Sequence, residues 1–267
     1  MGDGGEMSGI RWWQWPNVLA WDAALVALAW QALLAAGLGR PWHPAAATVL
    51  GLSVWLTYLA DRLFDVRQRR ADDLLSVRHR FAKRHSKRLW YIWFGVLLID
   101  MTLAFALLDQ PQLNRGFLIL GLSATYTYLN QRLSPRFFPK EICVAIIFAG
   151  GSAALLPPPF PWIPALALAL LCFINCLMVA SREREVDAAL RVHSLTHWPL
   201  LPQMALVSLM AVPVEWLLPP AHQIAHLLSL AALAGLFVKR HKIPVEHYRV
   251  FADSVLIVAP LTTLALL

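Results

Sequence analysis

Charge is what this sequence has least of. Only 15% of its 267 residues are Asp, Glu, Lys or Arg, while 58% are hydrophobic. A water-soluble domain carries about 25% charged residues, so the shortage argues against a soluble globular protein and for a chain that lives in lipid. Cysteine is scarce too: Cys143, Cys172 and Cys176 are the whole set. An odd number without metal-type spacing gives neither a disulfide framework nor a zinc site, so the three read as small packing residues. No H-E-x-x-H or comparable pattern joins the histidines; His79, His85, His193, His197, His241 and His247 fall in polar connections and read as loop residues. The opening "MGDGGEMSGIRWWQWP" lacks a basic region followed at once by an apolar one, so no cleaved signal peptide is expected. Its aromatics Trp12, Trp13 and Trp15 suit the depth of lipid headgroups.

What the chain does have is apolar length. Nine segments, at about 17–38, 44–65, 88–109, 114–130, 141–157, 160–180, 199–218, 221–238 and 250–267, approach the ~20 residues that cross ~30 Å of hydrocarbon. Backbone in lipid must satisfy its own hydrogen bonds, which helices do. The expected fold is therefore all-α, a polytopic membrane protein built as a bundle of about nine transmembrane helices. The division expected is a cytoplasmic N-terminal segment, 1–16, followed by a single transmembrane domain, 17–267. Pro213 and Pro260 fall inside segments, where they can kink a helix.

Net charge is +7, and its placement removes any need for a nucleic-acid partner. The connection 67–88 holds nine Lys and Arg residues. Further basic residues gather at Arg132, Arg136 and Lys140, at Arg182, Arg184 and Arg191, and from Lys239 to Arg249. The alternate connections hold little beyond Arg40 and Arg115. Such alternation is the positive-inside pattern. It expects an integral protein of a cell inner membrane, with the N-terminus and the basic connections cytoplasmic and the C-terminus outside. Many of the basic residues in 67–88 serve topology or touch anionic membrane lipid.

Against this background, carboxylates near apolar segments stand out. In "YLADRLFDVRQRR", Asp61 and Asp65 lie one helical turn apart and share a face. In "NCLMVASREREVD", Glu183 and Asp187 repeat the spacing at the end of another apolar segment on the same expected side. The bland reading of either pair is an interfacial charge pair with a neighbouring arginine. Two pairs at equivalent depth read better as halves of one site, because ionisable groups at a membrane edge are costly and usually functional. Four converging carboxylates need a cation, and Mg2+ is the hard ion that combines carboxylates with substrate phosphates. Basic connections on the same side suit the phosphates.

With these residues in view, the chain resembles the UbiA superfamily of intramembrane prenyltransferases. "TYLADRLFD" matches the first aspartate motif of that family, with Thr57 where asparagine is usual, and "EREVD" matches the second, with Glu183 for aspartate. "YTYLNQRLSPRFFPKE" supplies Tyr128, Arg132 and Lys140 at positions that contact diphosphate or order the cytoplasmic cap in relatives. The R-P-L stretch of the family is at best "RHRF", which leaves Arg78 the phosphate role, and the glycine usual after the second motif is missing from "DAALRVHS". The resemblance implies a transferase, a Mg2+-dependent prenyltransferase of isoprenoid or quinone-type lipid biosynthesis. Its partners are a prenyl diphosphate, an aromatic or lipophilic acceptor and membrane lipid, with no obligate protein partner. Asp61, Asp65, Glu183 and Asp187 are the implied metal-binding and catalytic residues. Thr57, Arg78, Tyr128, Arg132 and Lys140 are the implied diphosphate contacts. The alternatives are a non-catalytic or repurposed relative and a membrane transporter. A CDP-alcohol phosphotransferase is disfavoured because "VRQRR" follows Asp65 and no glycine precedes Asp61 at the required spacing.

Overall fold

The structure is a computed structural model that describes residues 10–67, 69, 70 and 74–267; residues 1–9 of the expected N-terminal segment lie outside the described residues. The described residues form helices and no strand. A short helix α1 (Trp15–Val18) is followed by α2 (Trp21–Gly37), α3 (Pro44–Arg67), α4 (Val77–Arg84), α5 (Ser86–Leu107) and α6 (Gln110–Leu133). Then come α7 (Lys140–Ala154), α8 (Trp162–Arg182), α9 (Arg184–Ala189), α10 (Leu200–Glu215), α11 (Pro220–Val238) and α12 (Val245–Leu266).

Every apolar segment seen in the sequence is helical, but the expectation of about nine membrane-crossing helices does not survive. Among the described residues four helices, α5, α8, α11 and α12, are long and apolar enough to cross a membrane, or five if the bent pair Trp12–Val18 and Trp21–Gly37 counts as one. The reasons are length and polarity. Helices α7 and α10 have 15 and 16 residues, which at 1.5 Å per residue give about 22 to 24 Å against ~30 Å of hydrocarbon. Helix α3 is long, but Asp61, Arg62, Asp65 and Arg67 occupy its last two turns. Helix α6 is polar at both ends, through Gln110, Gln112, Asn114 and Arg115 and through Asn130, Gln131 and Arg132. Counting apolar stretches merged helices long and apolar enough to cross a membrane with shorter helices and with helices whose ends carry charge.

Helix α8 sits at the centre, with 67% of its apolar stretch buried, whereas α5 lies outside with 6%. The main core joins Trp30 and Leu33 of α2, Leu168, Leu171 and Met178 of α8, Ala225 of α11 and Leu256 of α12. The Trp30 indole N–H, which cannot be left unpaired in such a core, donates to the Leu256 carbonyl at 2.9 Å. The small residues Gly150 and Gly151 of α7 let Ile119 of α6 approach closely.

An 84° bend separates α1 from α2, turning on Ala20 in the left-handed region at φ 61°. That conformation is costly for a residue with a Cβ, so other elements must hold it. Arg62 of α3 donates to the carbonyls of Asn17 and Val18 at 2.7 Å each, and the Trp55 indole donates to the Leu19 carbonyl at 2.9 Å. The carbonyls freed by the break are thus paired, and the start of α2, with Asp22, is directed toward the end of α3.

A close approach elsewhere makes a test of the packing. A Cβ at Gly37 of α2 would lie 2.5 Å from Cε1 of His222 on α11, and His222 is buried at 1% exposure with no room to retreat. Gly37→Ala is expected to destabilise the fold by about 1–3 kcal/mol through overpacking. Thermal melting in detergent should show the loss, and adding His222→Ala should make the Gly37→Ala change far less costly.

Candidate functional site

The helix ends converge. The C-terminal parts of α3, α6 and α8, the N-terminal parts of α2, α7 and α12, and the short α4 enclose a cavity of about 210 Å3. Its wall carries seven carboxylates, Asp22, Asp61, Asp65, Glu141, Glu183, Asp187 and Asp253, and four permanent cations, Arg62, Arg78, Lys140 and Arg249. Besides His79, Asn130 and Asn175, the rest is apolar or aromatic, including Val26, Tyr58, Tyr126, Phe148, Cys172 and Leu256. The charged groups gather near the helix ends, and Val26, Phe148, Cys172 and Leu256 lie farther along α2, α7, α8 and α12, an arrangement suited to a ligand with an ionic head and an apolar tail.

The charged end is divided unequally. Glu183 is the best-paired acid: Arg78 donates Nη1 to Oε1 and Nη2 to Oε2, both at 2.9 Å, and Arg249 Nη1 donates to Oε2 at 3.2 Å. Burial opposes ionisation of Glu183, but Arg78 and Arg249 outweigh it and hold the carboxyl well below the usual carboxylate range. Asp187 accepts from Lys140 Nζ at 2.9 Å and leaves Oδ2 buried without a partner. Burial alone would lower the Lys140 ammonium, but the Asp187 carboxylate beside it raises it above the usual lysine range. Arg249 Nε also lies 3.8 Å from Asp253 Oδ2, while Asn175 donates to Asp253 Oδ1 at 3.2 Å. His79 on α4 shares a 2.6 Å hydrogen bond with Ser76, and burial followed by the Arg78 charge pushes it well below the usual histidine range.

Asp61 and Asp65 differ. Neither forms an ion pair among the described residues. Asp61 Oδ1 is buried with no hydrogen-bond partner, and Asp65 accepts only from Gln131, at 3.2 Å. Two carboxylates one turn apart without a cation are a strained arrangement at a buried surface, and an added divalent ion with oxygen preference would relieve it. On that ground Asp61 and Asp65 fit Mg2+. Glu183 does not, because both its oxygens are already bonded to guanidinium groups. Among the described residues no three His, Cys, Asp or Glu side chains are grouped closely enough to hold a metal ion by themselves, so the remaining ligands would have to come from substrate and water.

Of the residues expected from the sequence, Asp61, Asp65, Arg78, Lys140, Glu183 and Asp187 all line the cavity. Thr57, Tyr128 and Arg132 do not. Thr57 turns its hydroxyl back to the Ser53 carbonyl at 2.9 Å. Tyr128 is 61% exposed, and the Arg132 guanidinium lies over its ring, 5.6 Å from the centroid. The face of α6 that meets the cavity carries Tyr126 and Asn130, four residues apart; shifting by two residues turns a side chain about 200° around a helix. Sequence reasoning also missed Asp22, Arg62, Glu141, Arg249 and Asp253 as wall residues. Arg249 and Asp253 could have been found by their i,i+4 spacing in "HYRVFAD", the same signal that exposed the other pairs.

No family model and no curated protein matches the sequence. A solved structure does match. It is the apo structure of a UbiA homolog from Aeropyrum pernix K1, aligned over 93% of this chain and 98% of that one at TM-score 0.65 and 16% identity. The chain shares that fold. Association with a membrane is supported by the four helices long and apolar enough to cross one.

The Glu183 cluster gives a pH prediction. Its folded-state pKa is depressed below the ordinary 4.5, so its ionic pairing stabilises the fold fully above about that pH and is lost as pH falls below it. Glu183→Gln is expected to cost about 3–5 kcal/mol near neutral pH, as for breaking a buried pair. It should also flatten the acid limb of the melting profile relative to wild type, read as melting temperature in detergent from about pH 7 to about pH 3.

Proposed function

We propose that the chain is an integral-membrane prenyltransferase that moves a prenyl group from a prenyl diphosphate to an aromatic or other lipophilic acceptor. The observation that carries this reading is the split cavity. Two carboxylates outside any ion pair, Asp61 and Asp65, share the wall with Arg78, Lys140 and Arg249, and apolar residues line the wall farther along the same bundle. A phosphate-only or purely apolar ligand would use one part of the cavity. With seven carboxylates against four permanent cations in the wall, an anionic diphosphate is repelled unless a cation accompanies it. The fold shared with a UbiA homolog agrees with the reading.

Asp61 and Asp65 are the residues that would hold Mg2+, which when bound supplies charge neutralisation to a diphosphate leaving group. The remaining work belongs to the chain. Arg78, Arg249 and Lys140 hold phosphate oxygens through charge-assisted hydrogen bonds and favour the negative charge that gathers there as the allylic carbon–oxygen bond breaks. The electron pair of that bond leaves with the diphosphate. Tyr58, Tyr126 and Phe148 line the cavity, where their rings shelter a cation-like carbon. The apolar wall keeps water away, so the acceptor is the nucleophile that forms the new bond. The basic connections are the ground for setting this end of the bundle at the cytoplasmic face of a cell inner membrane in this reading.

The test is binding of a long-chain prenyl diphosphate to purified protein in detergent, with and without Mg2+. Binding is expected to require Mg2+ and to weaken at least about tenfold in Asp61→Asn, roughly the loss of one good charged contact. A folded wild type that binds no prenyl diphosphate under either condition would end the transferase reading and favour a non-catalytic relative whose carboxylates serve only structure.

A further inference from the structure

Glu183 and Asp187 occupy one spacing but not one situation. Asp187 gives a single oxygen to Lys140 and keeps the other open, whereas Glu183 has three hydrogen bonds from two arginines, at 2.9, 2.9 and 3.2 Å. Its side chain is 9% exposed, and that of Arg78 is 8%. Ligation of a metal by Glu183 would break bidentate pairing and leave two guanidinium groups beside each other without the anion between them. We propose that Glu183 is a positioning residue and not a metal ligand: it fixes Arg78 and Arg249 as a pair of guanidinium groups that grip the diphosphate, while the metal rests on Asp61 and Asp65. This rests on the diphosphate reading above.

The donor count supports the assignment. An arginine offers five N–H donors. Arg78 spends two on Glu183 and Arg249 spends one, so each keeps donors for phosphate oxygens. Arg249 Nε is buried without a hydrogen bond, its nearest acid being Asp253 at 3.8 Å. Glu183 therefore sets the direction of both groups without exhausting either. Arg78 comes from α4 and Arg249 from α12, so without a shared anion their like charges would separate them. The Asp253–Asn175 contact buttresses Arg249 from the other side.

The experiment separates metal affinity from diphosphate affinity. Mn2+ is titrated into the full chain in detergent, and inorganic diphosphate is then titrated at saturating Mn2+, for wild type, Asp61→Asn and Glu183→Gln. Asp61→Asn is expected to weaken Mn2+ binding at least about tenfold, whereas Glu183→Gln should leave it within about twofold and weaken diphosphate at least about tenfold. A Glu183→Gln loss of Mn2+ binding as large as that of Asp61→Asn would make Glu183 a ligand and overturn the proposal while leaving the diphosphate site intact. Unchanged diphosphate affinity in Glu183→Gln would overturn it as well. A wild type that binds neither probe would remove both this proposal and the transferase reading. Where Glu183→Gln does not fold, Glu141→Gln protein with 13C-labelled glutamate carboxyls, which removes the other glutamate of the wall, decides: Mg2+ alone is expected to leave the labelled infrared carboxylate band in place, and a shift of that band would overturn the proposal.

Discussion

One buried anion organises the charged end of this molecule. Glu183 follows α8 directly, accepts a fork from Arg78 on α4 and a third bond from Arg249 on α12, and so ties together segments separated by 105 and 66 residues in the chain. Taking a carboxylate and two guanidinium groups out of water costs several kcal/mol for each ion. The cost is tolerable only because the geometry is close to ideal and each charge has its partner. Remove the anion and two like charges are stranded in the wall; remove Arg78 and a buried carboxylate is left with one contact. The three helix ends are therefore fixed relative to one another more firmly than apolar packing alone would fix them, since apolar contacts tolerate sliding and a bidentate pair does not.

That rigidity is spent on one side only. Across the cavity, Asp61 and Asp65 have been placed with equal care but given no cation. Arg62, which lies between them in sequence, is turned about 60–100° around α3 from them and is committed to the carbonyls of Asn17 and Val18. It cannot form an ion pair with Asp61 or Asp65 without releasing the carbonyls beside the bend at Ala20. The same side chain thus holds the fold and withholds a direct ion pair from the site. An arginine that reached Asp61 would make the cavity more stable and close it to a metal. The unequal division of cations between the two acidic pairs leaves Asp61 and Asp65 as the acids outside the salt-bridge network.

The sequence disclosed the parts of this arrangement that repeat at helical spacing. Asp61 with Asp65 and Glu183 with Asp187 were visible because carboxylates are rare in so apolar a chain and because four residues return a side chain to the same face. What they face was not visible. Helical spacing says which residues share a side, but the rotation of the helix against its neighbours is set by packing, so Tyr128 and Arg132 were chosen where Tyr126 and Asn130 meet the cavity. The number of spans failed for a related reason. Apolar length was legible, but the polar ends of α3 and α6 and the shortness of α7 and α10 become decisive only once helix boundaries are known.

The two acidic pairs also explain why the sequence offered four carboxylates as equivalent metal ligands. Four carboxylates at one depth look equivalent in a sequence, because a sequence holds no record of which of them already has a partner. Their partners come from elements remote in the chain: Arg249 lies 66 residues beyond Glu183, and Lys140 lies 47 residues before Asp187. Once those ion pairs form, the equivalence is gone. Asp61 and Asp65 keep oxygens that no cation holds, Asp187 keeps one free oxygen, and Glu183 keeps none. The chemistry open to each acid is set less by its own identity than by whether a distant arginine or lysine arrives first.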